Sequence, residues 1–135
     1  MTVTRINPTH LYDSLQFGFS HASLQEGGRM LHLSGQVGWD AEAKIVGVDD
    51  LAAQTRQALA NLTAVLAEFG ATPADLVRIR TYVVNHDIEK LGIVTGELMT
   101  FYGETVPAPN TVIGVQALAL PDFLVEIEAT AALPA

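Results

Sequence analysis

The stretch DLAAQTRQALANLTAVLAEFGATPADLVRIRTYV, residues 50 to 83, decides the fold, because it holds a helical period, a break and a two-residue period in one run. From Asp49 to Phe69, Leu51, Thr55, Ala58, Leu62, Val65, Leu66 and Phe69 recur at helical spacing. Asp49 is the expected N-cap and Gly70 the expected stop: a carboxylate accepts from free N–H groups at a helix start, and glycine takes the left-handed conformation past its end. ATPAD then predicts a short helical turn, with Pro73 behind Thr72 and Asp75 close by. In LVRIRTYVV, Val77, Ile79, Thr81 and Val83 alternate with Arg78, Arg80, Tyr82 and Val84, the pattern of a strand packed on one side.

Upstream, MLHLSGQV predicts another such strand, with Leu31, Leu33 and Val37 on one face and Met30, His32, Ser34 and Gln36 on the other. DAEAKIVG reads as a turn. Downstream, a second helix is expected from about Asp87 to Tyr102, burying Leu91, Val94 or Thr95, Leu98 and Phe101. Gly92 and Gly96 each weaken it by about 1 kcal/mol relative to alanine, so tertiary packing must hold it. TVIGVQALAL and LVEIEATAAL read as two closing strands separated by PDF. This order predicts a single α+β domain over residues 1–135, with two helices on one face of a single sheet and the other face left for a partner subunit.

Fifteen acidic residues against seven scattered basic ones give a net charge of −8, which argues against nucleic acid as a partner. No apolar run approaches the ~20 residues that cross a bilayer, and MTVTRINPTH lacks the pattern of a secretion signal, so a cytoplasmic location without membrane attachment is expected. The chain has no cysteine, which removes thiolate nucleophiles and Cys-ligated metals. His10, His21, His32 and His86 show no helical pair or HExxH spacing, so no metal is expected. Gly-rich phosphate loops are absent, and no nucleotide cofactor is expected. Ser34 lies outside any Gly-x-Ser-x-Gly elbow and fits a pocket-lining role better than that of a nucleophile.

The most informative pair is Glu126 and Glu128 in LVEIEA, two apart and therefore on one strand face, with Val125, Ile127 and Ala129 on the other. Two explanations stand open. The acids form cross-strand pairs with Arg78 and Arg80, or one of them is a general base or water-positioning group.

FSHAS (19–23), GGRMLHLSGQVG (27–38), the 50–83 stretch, VPAPNTVIGV (106–115) and LALPDFLVEIEATA (118–131) together resemble the Rid family of reactive-intermediate deaminases, also known as the YjgF family or L-PSP endoribonucleases. The resemblance covers nearly all the chain after about residue 18. It implies a chorismate-mutase-like (bacillus-type) α+β fold, a homotrimer with small-molecule pockets in the intersubunit clefts, and enamine/imine hydrolysis to a carbonyl compound and ammonia without metal or cofactor. Carried over by motif, Glu126 is the water-positioning catalytic residue, and Ser34, Phe19, Thr95, Asn110 and Thr111 are the substrate-binding set. Phe19 stands where tyrosine is frequent, so its hydroxyl is missing.

Aligned on the Thr-x-x-Gly-Val ending of VPAPNTVIGV, Asn110 stands at the position of the arginine that grips a substrate carboxylate, with Pro109 just before it. This places the chain in a divergent subgroup. A charged hydrogen bond contributes ~1.5 to 3 kcal/mol against about 1 for a neutral one, so small imino acids should be handled poorly. Three outcomes remain open: a Rid-type hydrolase acting on a neutral or larger substrate, a non-catalytic trimer that binds a metabolite or supports an assembly, or a clamp restored by Arg29, Arg78 or Arg80 from a neighbouring subunit.

Overall fold

A computed structural model describes residues 1–135. The first helix, α1, spans Leu51–Ala67, and its N-cap is Asp50 rather than Asp49. Asp50 has extended backbone and accepts from the Ala53 N–H at 3.0 Å, whereas Asp49 takes a left-handed φ of 56° in the preceding turn. Leu51, Gln54, Thr55, Ala58, Leu59, Leu62 and Leu66 form the buried stripe, while Phe69 lies beyond the helix and is 50% exposed. The turn at Pro73–Asp75 forms as expected, with Thr72 and Asp75 capping each other reciprocally. The second helix, α2, spans Ile88–Tyr102, and its N-cap Asp87 accepts from the Lys90 N–H at 2.9 Å. It buries Val94, Leu98 and Tyr102; Leu91 and Phe101 are only half-buried.

Six strands follow the chain: β1 (Thr2–Ile6), β2 (Ala22–Glu26), β3 (Arg29–Gln36), β4 (Leu76–Val84), β5 (Asn110–Val115) and β6 (Val125–Leu133). The main sheet has the order β3-β6-β4-β5, with β6 antiparallel to both neighbours and β5 parallel to β4. Both helices pack on one face, where Leu62, Leu66, Val94 and Leu98 meet Ile79, Val83, Ile127 and Ala129 in a continuous core. Alternation along β4 and β6 therefore sends Arg78, Arg80, Tyr82, Glu126, Glu128 and Thr130 to the face without helices.

Two expectations are corrected. The sheet is not single: β1 and β2 form a separate antiparallel ribbon. Gly27 and Gly28, at φ of 72° and 85°, turn the chain between β2 and β3 with a geometry that L side chains rarely adopt. The ribbon is fixed instead by Arg5, which donates to the carbonyls of Leu76, Pro73, Ala74 and Val106, and by Ser23, whose hydroxyl donates to the Val77 carbonyl at 2.6 Å. The strand anticipated over TVIGVQALAL also ends early, at Val115. Fully buried Gln54 draws the following loop onto α1: its Nε2 donates to the Gly47 and Asp122 carbonyls, both at 3.0 Å, and its Oε1 accepts from the Leu124 N–H at 2.9 Å.

Burial pushes the Tyr102 phenol up to about 12, well above its ordinary value. A raised folded-state pKa means that the neutral form's stabilisation is complete below pH ~10 and is lost as pH climbs toward the folded value. Urea unfolding should show stability falling by about 2 to 3 kcal/mol between pH 10 and 12, and Tyr102→Phe should remove that portion of the slope.

Candidate active site

On the helix-free face, Tyr82 lies opposite Glu126, Arg80 opposite Glu128, and Arg78 opposite Thr130. The two glutamates, equivalent in sequence, have different surroundings. Glu128 faces Arg80 Nη1 at 3.8 Å and accepts a hydrogen bond from the Tyr82 hydroxyl. That bond holds the phenol above its usual pKa. Glu126 has no ion pair and no side-chain hydrogen bond. Cross-strand pairing thus accounts for one acid and leaves the other free.

Glu126 is seated by a glycine. β3 shifts register between Leu33 and Gln36, and a Cβ built on Gly35 would lie 2.7 Å from both Cγ and Cδ of Glu126. An irregularity with glycine in a strand marks a close approach, here of a carboxylate side chain to bare backbone. Glu126 and Gly35 open onto a groove of about 630 Å³ that continues past Trp39 and Phe123 to the side of α1.

The other candidates are dispersed. Ser34 is exposed beside Gly35, next to the register shift. Thr111 lies opposite Arg80, on the face that carries the glutamates. Asn110 lies opposite Ile79 and accepts from the buried Thr81 hydroxyl at 3.2 Å, so its side chain is turned to the helix-covered face. One chain therefore does not bring Asn110 to Glu126. Phe19 and Thr95 belong to a second locus at the β5 edge, where Ser20 bridges Pro109 and Gly18 sits against Thr95, whose Cγ2 is 3.7 Å from the Cβ position of that glycine. There Tyr12 packs edge-on against Phe19 with ring centroids 6.4 Å apart, placing a phenol beside the position that lacks one.

None of the three alternative arginines completes a clamp within the chain. Arg80 is held by Glu128, and Arg29 Nε donates to the Pro134 carbonyl at 2.9 Å. Arg78 is four residues away along β6 by register, about 13 Å at 3.3 Å per residue. Sequence reasoning missed Gly35, Trp39, Tyr82 and Tyr12. A glycine inside an alternating strand was the available signal for Gly35; the others become relevant only through packing. No group of three or more His, Asp or Glu side chains converges to hold a metal ion, and no helix is long and apolar enough to cross a membrane.

A helix-backed mixed sheet with a free acid on its open face defines a small α+β class, and comparison with known proteins identifies it. The family profile described as Endoribonuclease L-PSP matches residues 15–133, and the chain belongs to this family, the Rid/YjgF group. A crystal structure of a Rid-family protein of unknown function, YyfB from Yersinia pestis, is 56% identical, with a TM-score of 0.95 over 98% of this chain and all of that one. A YjgF/YER057c/UK114 family member from Mycobacterium tuberculosis is 32% identical, with a TM-score of 0.64 over 98% of this chain and all of its own. A RutC family protein of Pyrococcus abyssi is 32% identical over 106 residues, 77% of this chain and 79% of the relative.

Because the Gly35 position is crowded by a flexible side chain and not by backbone, Gly35→Ala should fold with a loss of no more than about 1 kcal/mol. Thermal unfolding checks the stability, and a crystal structure of the variant should show the Glu126 carboxylate rotated off its seat.

Proposed function

We propose that the chain is a cofactor-free hydrolase of a small enamine or imine metabolite, working in the cytoplasm as a homotrimer whose clefts join the Glu126 face of one copy to the Phe19, Thr95 and Asn110 locus of the next. The observation that carries this reading is the free state of Glu126 beside the paired Glu128. A structural acid would be expected to take the partner that Glu128 has; an acid kept open at a groove is available to water. The division of the candidates into two loci supports a site completed by a neighbouring copy.

An enamine first tautomerises to its imine. As the oxygen of water bonds to the imine carbon, Glu126 takes the proton that water loses. That proton passes to nitrogen to give the carbinolamine; the hydroxyl proton then moves to nitrogen, the C–N bond breaks, and ammonia leaves as the carbonyl forms. Ser34 and Thr111 supply hydroxyls along the face that carries this carboxylate.

A second reading, a trimer that binds a metabolite or supports an assembly without turnover, is favoured by Asn110, which turns to Thr81 and leaves no β5 cation beside Glu126. Glu126→Gln separates the two. For a hydrolase, coupled ammonia-release assays should show turnover falling by about 100-fold or more with the oligomer unchanged. Absence of ammonia release from the wild-type protein across carboxylated and carboxylate-free imines would instead favour the binding trimer.

A further inference from the structure

The groove at Glu126 has an uneven hydrogen-bonding inventory. Its amide donors are neutral and partly engaged within the protein: Asn61 Nδ2 gives both N–H groups to the Val37 and Trp39 carbonyls at 3.1 and 3.0 Å, and Gln57 Nε2 gives one of its two to Asn61 Oδ1 at 2.9 Å. Gln36 Nε2 donates to the Ser34 carbonyl at 3.3 Å. The acceptors are left over. Glu126 has no partner, and Asp40 uses only Oδ1, which accepts from the Glu42 and Lys44 N–H groups at 2.9 and 3.0 Å. No lysine or arginine lines the groove.

Its walls are aromatic where they are not acidic. Trp39 and Phe123 meet edge-to-face with centroids 5.0 Å apart. Of the chain's seven basic residues, Arg56 is engaged by Glu97 and Arg80 by Glu128, Arg5, Arg29 and Lys90 donate to backbone carbonyls elsewhere, and Lys44 and Arg78, whose side chains are unpaired, do not line the groove. A ligand carboxylate entering this groove would meet two carboxylates and no charged donor from the same chain. An ammonium or iminium would meet two anionic acceptors and indole and phenyl rings.

We infer that the groove takes a cationic ligand: an alkylammonium, or the iminium form of an imine that carries no carboxylate. Its catalytic consequence rests on the hydrolase reading of Glu126. The balanced reaction is R₂C=NH₂⁺ + H₂O → R₂C=O + NH₄⁺, with Glu126 accepting a proton from the attacking water and returning it to nitrogen. The adjacent carboxylates favour the iminium over the neutral imine, which makes the carbon more electrophilic. Asp40 acts as a specificity residue, adding a second negative charge without touching the reacting carbon.

Trp39 is the only tryptophan in the chain and sits in the groove, so its fluorescence reports occupancy directly. Wild-type protein is titrated at low salt with n-butylammonium and with n-butyrate. The ammonium should give a saturable change, and butyrate should bind at least tenfold more weakly. Asp40→Asn retains an acceptor for the turn and should weaken the ammonium by roughly three- to tenfold, with circular dichroism unchanged. Equal or tighter butyrate binding, no saturable response to the ammonium, or an Asp40→Asn variant indistinguishable from wild type would each overturn the inference. Ammonia release is then compared for 2-iminopropionate and butan-1-imine, the N-unsubstituted imine that hydrolyses to butanal and ammonia, where the second should be preferred. Turnover of iminopropionate alone would defeat the cation preference and keep the hydrolase reading. Ammonium binding without turnover of either imine would keep the preference and defeat the hydrolase.

Discussion

The two-residue period of the central strand β6 is the constraint on which the rest of the structure depends. It pairs with β3 on one side and β4 on the other, so its register fixes both. Val125, Ile127 and Ala129 must face the helices to close the core, and this leaves Glu126, Glu128 and Thr130 on the open face. A slip by one residue would bury two carboxylates under α1 and α2 and expose the core-facing row, at a cost of many kcal/mol. Core formation and presentation of the acids are therefore one event.

Within that frame, the difference between the glutamates is made by what stands across from them. Arg80 and the Tyr82 hydroxyl converge on Glu128, while Gly35 offers Glu126 only bare backbone and an opening. The register shift in β3 makes that opening, and Gln54 and Asn61 hold its rim by tying the loops around residues 47, 37–39 and 122–124 to α1. These amides are oriented by satisfying backbone groups that no strand partners. The groove keeps neutral donors but no charged one, while its two carboxylates remain, which sets the charge a ligand should bring.

The loop before β5 shows how position and orientation part company. Alignment puts Asn110 at the place of a carboxylate-gripping arginine, yet pairing with Ile79 and a bond to Thr81 turn it to the covered face. Phe19 and Thr95 likewise lie at the far edge of the sheet, beside Gly18 and Pro109. A protomer carries two partial constellations, and this separation is what makes a second copy part of the proposed chemistry.

The sequence by itself determined both helices, the β4 and β6 alternation, the capped turn at Thr72–Asp75 and the family, because period and capping chemistry are local properties that survive any packing arrangement. It placed Glu126 and Glu128 on one face for the same reason. Only the tertiary structure decided which acid is free, where β5 stops, and that β1 and β2 leave the main sheet under the grip of Arg5 on Leu76 and its neighbours. Those outcomes depend on partners between 46 and 101 residues away in the chain, such as Tyr82 with Glu128 and Arg5 with Val106, and no window of sequence contains both ends of such a contact.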